Sequence, residues 1–214
     1  MFFRKLFGGK KDDEKKDSTP SAGKGQDDLK YPDVDCTFKI LLIGSYGSGK
    51  TSLLLRYVDG TFTDRLISSI DMDFKIKNLN VRNDRTVKLQ IWDPLVPRYG
   101  HITSGYYRGT PGIILCYDTT SDKGFNDVKE GKENIDRYGS ENVLVVIVGT
   151  KSDLPPNEGI VAQVSEYADS LGIPHMLCSA KTNVGVDDVF EKLLRSIGNK
   201  KGLRLEIEKE RSNK

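Results

Sequence analysis

The spacing Gly44-Ser45-Tyr46-Gly47-Ser48-Gly49-Lys50-Thr51 constrains this chain more than any other feature. It reads G-x-x-x-x-G-K-[ST], a loop whose glycines let backbone N–H groups converge on a polyphosphate. Lys50 adds a point charge, and the Thr51 hydroxyl is a hard-oxygen ligand for Mg²⁺. Such a loop needs a strand before it and a helix after it, because the helix N-terminus supplies a favourable dipole. Both are present: residues 38–43 are an apolar run, and residues 52–58 carry a helical pattern. Tyr46 is large for a position that faces the terminal phosphate.

The length of 214 residues suits one domain plus tails. Basic and acidic residues number 33 and 31, a net charge of +2, so no nucleic-acid partner is expected. No apolar run is long enough for a membrane-spanning helix. Cys36, Cys116 and Cys178 are widely spaced and form no CxxC pair. Cys116 and Cys178 stand in apolar runs and read as buried thiols of a reducing, cytoplasmic compartment. Residues 1–35 are rich in Lys, Asp, Ser and Gly and are expected to be a disordered arm. Its first stretch, Met1-Phe2-Phe3-Arg4-Lys5-Leu6-Phe7, is apolar and basic; it reads as a frayed terminus, or as a segment that touches a membrane or partner. Residues 36–200 form the domain, and residues 201–214 are expected to be a charged, solvated tail.

Inside the domain, strand and helix patterns alternate. Residues 74–81 and 87–92 alternate with period two around a turn at Asn83-Asp84, which predicts a hairpin. Residues 112–117 and 143–148 are continuous apolar runs, as expected of strands covered on both faces. Residues 173–178 form a weaker sixth run. Helical patterns occupy residues 121–138, 160–171 and 186–197. The expected fold is α/β: a six-stranded, mostly parallel sheet with one antiparallel edge strand and helices on both faces. In such sheets ligands bind at the carboxyl ends of the strands, where the Gly44 loop lies.

Two further stretches sit at strand ends. In Thr150-Lys151-Ser152-Asp153, a carboxylate can accept from both N1–H and the exocyclic amine of guanine, a donor pair that adenine lacks. The Lys151 stem can lie over the base plane. In Ser179-Ala180-Lys181, the Ala180 N–H can meet the guanine O6. Three such stretches in order argue for GTP or GDP with Mg²⁺ and against an ATP-dependent enzyme.

From about residue 36 to residue 197 the chain resembles the Ras-like small GTPases, and within them the Rab family. The resemblance is carried by Asp73-Phe74-Lys75-Ile76-Lys77, Lys88-Leu89-Gln90-Ile91-Trp92-Asp93, Ile102-Thr103-Ser104, Tyr106-Tyr107-Arg108-Gly109 and Ser179-Ala180-Lys181-Thr182-Asn183-Val184. It implies the P-loop fold of small GTPases and a monomeric GTP/GDP switch acting in vesicle trafficking or signalling. Gly44 through Ser52 would hold the phosphates, and Phe62 would cover the edge of the base. Thr51 and Ser69 would ligate Mg²⁺ directly, and Asp93 through a water. Thr150 stands where Asn is usual, Leu66 where Tyr is common, and Asp71 where a glycine is usual. Phe74, Trp92 and Tyr106 match an aromatic cluster that faces effector proteins, and core packing explains the same residues.

The chief departure follows Asp93. The family pattern there is Asp-Thr-Ala-Gly-Gln-Glu, whereas this chain reads Asp93-Pro94-Leu95-Val96-Pro97-Arg98-Tyr99. Val96 takes the glycine position; its N–H can still donate to the γ-phosphate, but valine cannot turn as glycine does. Pro97 offers neither an amide side chain nor an N–H to position water. His101 lies in the same loop, several residues too far along. The expectation is a small GTPase with slow or impaired hydrolysis and no confident catalytic residue. The alternative is a nucleotide-insensitive interaction module. No cysteine follows Cys178, so no prenyl anchor is expected. Membrane contact would then be indirect or made through the Phe-rich N-terminal segment.

Overall fold

Apolar runs such as residues 112–117 have no polar face to turn to water, so both faces of their sheet must be covered. The computed structural model, which describes residues 36–64, 73–81, 85–95, 102–203 and 205–207, shows how this is done. Six strands, β1 (Cys36–Ile43), β2 (Asp73–Val81), β3 (Arg85–Asp93), β4 (Gly112–Asp118), β5 (Leu144–Thr150) and β6 (His175–Leu177), form one sheet in the order β2-β3-β1-β4-β5-β6. All neighbours are parallel except β2 and β3. The expected architecture is therefore the one observed, with β2 as the antiparallel edge.

The sheet has two cores because strand side chains alternate between faces. Phe38, Ile40 and Leu42 of β1 point to one face. There they meet Leu53 and Leu54 of α1 (Lys50–Asp59), and Phe190 and Leu193 of α4 (Val186–Lys200). Leu41 and Ile43 point to the other face. They join Val128 of α2 (Gly124–Tyr138) and Val164 of α3 (Glu158–Ser170). The strand order reverses at β1, whose neighbours are β3 on one side and β4 on the other. A crevice opens at the carboxyl end of a strand at such a switch point, and the Gly44 loop occupies it.

Boundaries differ from the sequence pattern where local hydrogen bonds decide them. The second helix begins at Gly124 rather than 121, because Ser121 closes a turn with its N–H on Asp118 O and its Oγ accepting from Lys123 N–H. The third helix begins at Glu158, where the Asn157 side chain accepts from Ile160 N–H. The Asn83-Asp84 turn and the N-terminal arm lie outside the described residues.

The solvated tail expected after residue 200 needs correction. Leu203, Leu205 and Ile207 turn back onto the first core, with Leu205 only 4% exposed. Ile207 bridges Val81 at the end of edge strand β2. Truncating Leu205 therefore removes core, not a solvated end. Leu205→Ala should destabilise the protein by about 2–5 kcal/mol in urea unfolding, as large-to-small core changes do. Val184→Ala, at a site 62% exposed, should shift it by no more than about 0.5 kcal/mol.

Candidate functional site

The phosphate-loop pattern forms because the chain must leave β1 beside β4 with no room for a side chain. Gly44 has φ +145°, and a Cβ there would lie 2.1 Å from the Cys116 carbonyl oxygen. Gly49 has φ +80° and sits against the Thr150 side chain. Lys50 opens α1 and is only 7% exposed. Its Nζ donates to Gly44 O at 3.0 Å and Ser45 O at 2.8 Å. Burial pushes its pKa down, while the nearby charges of Asp93 and Asp127 oppose that shift. Ser48 Oγ donates to Ser45 O at 2.8 Å, and Ser45 Oγ donates to Asp127 Oδ2 of α2 at 2.6 Å.

Parallel pairing sets Leu41 beside Trp92 and so brings the ends of β1 and β3 together. Thr51 Oγ1 donates to the buried Asp93 Oδ2 at 2.5 Å. Hydroxyl and carboxylate thus share one corner, a hard-oxygen donor set. No cluster of three His, Cys, Asp or Glu suited to a metal occurs among the described residues. Ser69, Val96 and the rest of residues 65–72 and 96–101 lie outside the described residues.

The base-side stretches follow β5 and β6. Thr150 is buried, and its Oγ1 lies 2.8 Å from Ser48 O and 3.0 Å from Tyr117 O. A hydroxyl carries one proton, so it is shared between these carbonyls or alternates between them. Either way it ties the phosphate loop to β4. Lys151 has φ +59°, and its Nζ meets Asp118 Oδ2 at 2.6 Å. Burial opposes ionisation of Asp118, yet hydrogen bonds from Lys151 and Thr120 outweigh it and hold the carboxyl below its usual value. Asp153 Oδ1 accepts from Ser179 Oγ at 2.6 Å, which joins the two base-side loops. Lys181 Nζ lies 3.8 Å from Asp64.

One cleft of about 690 Å³, within the range of small-molecule sites, runs between these stretches, while Gly44, Ser45, Ser48 and Ser179 support it from behind its lining. Lys50, Thr51 and Asp93 stand at one end, Asp153, Ala180 and Lys181 at the other, with Phe62 on the wall. Ser52 lines it beside Thr51, as does Tyr46, which is 52% exposed. Away from the cleft, the Phe74 and Trp92 rings lie 4.6 Å apart and Trp92 and Tyr106 6.3 Å apart. Phe74 is 37% exposed; Trp92 and Tyr106 are half-buried. Trp92 Nε1 is buried without a hydrogen-bond partner among the described residues. Cys116 and Cys178 are buried, with burial pushing the Cys178 thiol up to about 12.

The sequence reading missed Asp118 and Asp127. Asp118 had a signal: a lone carboxylate that ends an apolar strand at its ligand-facing end. Asp127 had none, since it is defined by a partner far away in sequence.

A family model described as the Ras family matches residues 39–199. GTP-binding protein YPTM2 of Zea mays is 45% identical over 168 residues, covering 78% of this chain and 82% of that protein. Ras-related protein Rab-1D of Dictyostelium discoideum is 48% identical over 172 residues, 79% of this chain and 83% of that protein. Ras-related protein RABD2a of Arabidopsis thaliana is 45% identical over 168 residues, 78% and 82% of the two chains.

The Lys151–Asp118 pair has a pH signature. A carboxyl with a depressed folded pKa stabilises above its unfolded value, about 3.9, and loses that contribution as pH falls through the folded value. Asp118→Asn should therefore be less stable than the parent at about pH 6, with a narrower gap at about pH 3. Urea unfolding at both pH values measures it; a gap that widens toward acid contradicts the assignment.

Proposed function

The chain belongs to the Ras family as a Rab-like small GTPase, and from that premise we propose a GTP-binding switch whose hydrolysis is slow or impaired. One observation supports it most: the binding groups converge on a single cleft, while the residues that would position water are replaced. At the phosphate end, Lys50 is a buried cation held by the Gly44 and Ser45 carbonyls and the Ser48 hydroxyl. An anionic ligand would find that charge desolvated and therefore strong. Thr51 would ligate Mg²⁺, and Asp93 would hold one of its waters, with Ser69 as the second hydroxyl. The metal, when bound, neutralises charge on the phosphate oxygens.

At the base end, Asp153 is oriented by Ser179, which leaves carboxylate capacity for guanine N1–H and its amine. The Ala180 N–H would meet O6. The Lys151 stem, held at its head by Asp118, would cover the base from one side. Gly44, Ser45, Gly47, Ser48, Gly49 and Ser52 would complete the phosphate cradle, with Thr150 supporting it from below. Phe62 and Lys181 would flank the base.

Hydrolysis needs an oriented water. Intrinsic rates in this class are on the order of 10⁻⁴ s⁻¹, and a glutamine and an inserted arginine supply the acceleration. Here Pro97 carries no amide side chain, Val96 lacks the freedom of glycine, and Tyr46 stands exposed where an arginine would enter. Each tenfold loss requires only about 1.4 kcal/mol. Effector proteins would read Phe74, Trp92 and Tyr106. We assign the protein to vesicle trafficking or signalling as a cytoplasmic monomer, with membrane contact indirect or through residues 1–7. No helix among the described residues is long and apolar enough to cross a membrane.

Fluorescent GDP and GTP analogues, titrated with and without Mg²⁺, should both bind, and more tightly with the metal. Binding by neither would leave the nucleotide-insensitive interaction module as the reading. Single-turnover hydrolysis of bound GTP should proceed below about 10⁻⁴ s⁻¹. The double substitution Val96→Gly with Pro97→Gln should raise that rate by about tenfold or more, equivalent to about 1.4 kcal/mol. A parent rate equal to that of glutamine-bearing Rab proteins would refute the impairment.

A further inference from the structure

Arg56 has no part in the site as built so far, yet its guanidinium reaches three backbone carbonyls. From the last turn of α1, Nε donates to Ala180 O at 2.6 Å, Nη2 to Lys181 O at 3.3 Å and Nη1 to Gly60 O at 2.5 Å. A basic residue at a helix end commonly meets its own last carbonyls. That accounts for Gly60, four residues away. It does not account for Ala180 and Lys181, which belong to another loop, 124 and 125 positions along the chain.

The geometry suits arginine in particular. Its donors are fixed on one rigid plane, so acceptors from two segments are held in a single orientation; a lysine ammonium is a point on a flexible stem. The acceptors also matter. Gly60 caps α1 at φ +68° and returns its N–H to Arg56 O at 3.1 Å. The chain then runs directly to Phe62 and Asp64 on the cleft wall. Ala180 and Lys181 lie in the base-side loop. That loop is held from within by Ser179 N–H on Val184 O at 2.9 Å and by Thr182 N–H on Ser179 Oγ at 3.1 Å. Arg56 ties its carbonyl side to α1. Six residues of helix, about 9 Å of rise, separate Lys50 at the phosphate end from Arg56 at the base end.

We propose that Arg56 is a positioning residue for guanine selection. It sets the plane of the Ala180–Lys181 peptides, and with it the aim of the adjoining Ala180 N–H at O6. It also locks this loop to α1 and to the root of the segment that carries Phe62. One helix then fixes the distance between the phosphate cradle and the base reader. The inference rests on the guanine reading above.

The test is the ratio of GDP to ADP affinity, measured by competition against a fluorescent nucleotide in the full-length parent, Arg56→Ala and Arg56→Lys. ADP shares the phosphates, ribose and Mg²⁺ but has no O6. In both variants GDP affinity should fall at least tenfold and GDP dissociation should speed up accordingly. ADP affinity should stay unchanged, so the ratio falls by the same factor. Arg56→Lys keeps the stem and the charge, and it decides the matter alone if Arg56→Ala does not fold. Equal losses for GDP and ADP, with the ratio intact, would reduce Arg56 to a structural support and overturn the inference, as would no loss at all. A parent that does not prefer GDP over ADP would refute the guanine reading itself, and this inference with it.

Discussion

The buried ammonium of Lys50 is the constraint on which the rest of the site depends. A charge out of water is tolerated only when its protons are met. Here the partners are the carbonyls of Gly44 and Ser45 and the Ser48 hydroxyl, so the loop must curl back over the first residue of its own helix. That path brings residue 44 against the Cys116 carbonyl, where any Cβ would collide. The close approach in turn exists because β1 and β4 pair in parallel, with Ile43 beside Leu115. Sheet order, glycine position and cation burial are one arrangement seen at three scales. An anion entering the cleft would meet a desolvated charge and would compete with the Gly44, Ser45 and Ser48 oxygens for its three protons.

The base end is built differently. Among the described residues no cation is fully buried there; short polar bonds between loops hold the parts. Ser179 orients Asp153, Asp118 holds Lys151, and the Thr150 hydroxyl links the two ends by lying within reach of both Ser48 O and Tyr117 O. Thr150 stands where Asn is usual, and its hydroxyl is long enough to bridge the phosphate loop to β4. Three loops from β1, β5 and β6 thereby behave as one rim of the cleft, although their sequences are far apart.

Which parts were legible follows from how far each signal extends along the chain. The strands were legible because burial on two faces writes itself as a continuous apolar run, and the edge hairpin because one solvated face writes itself as alternation. Lys50, Thr51, Asp93, Asp153 and Ala180 were legible because each lies in a short contiguous pattern at a strand end. Arg56 and Asp127 were not, since each acquires its meaning from a partner 82 to 125 positions away; Asp118 was marked by its place at the end of an apolar strand, but its pairing with Lys151 was not. The C-terminal segment is the instructive case. Leu203, Leu205 and Ile207 alternate with Arg204 and Glu206, the period-two signature of a half-buried extended chain. Its charges suggested a solvated end, but the period was the better guide, and Leu205 is buried.

The groups proposed for binding and those proposed for turnover stand on different stretches of the chain. The groups that would hold nucleotide sit on strand ends and on the first turn of α1, where packing on both faces of the sheet fixes the backbone. The groups that ordinarily orient water belong to the stretch after Asp93, of which residues 96–101 lie outside the described residues. On the proposed reading, substitutions there would change none of Lys50, Thr51 and Asp93, which line the cleft. The converse does not hold. A change at Thr150 or Gly44 would disturb both ends of the cleft at once. On the proposed reading, Tyr46, Val96 and Pro97 are three substitutions that would lower hydrolysis while Lys50, Thr51 and Asp93 stay in the cleft.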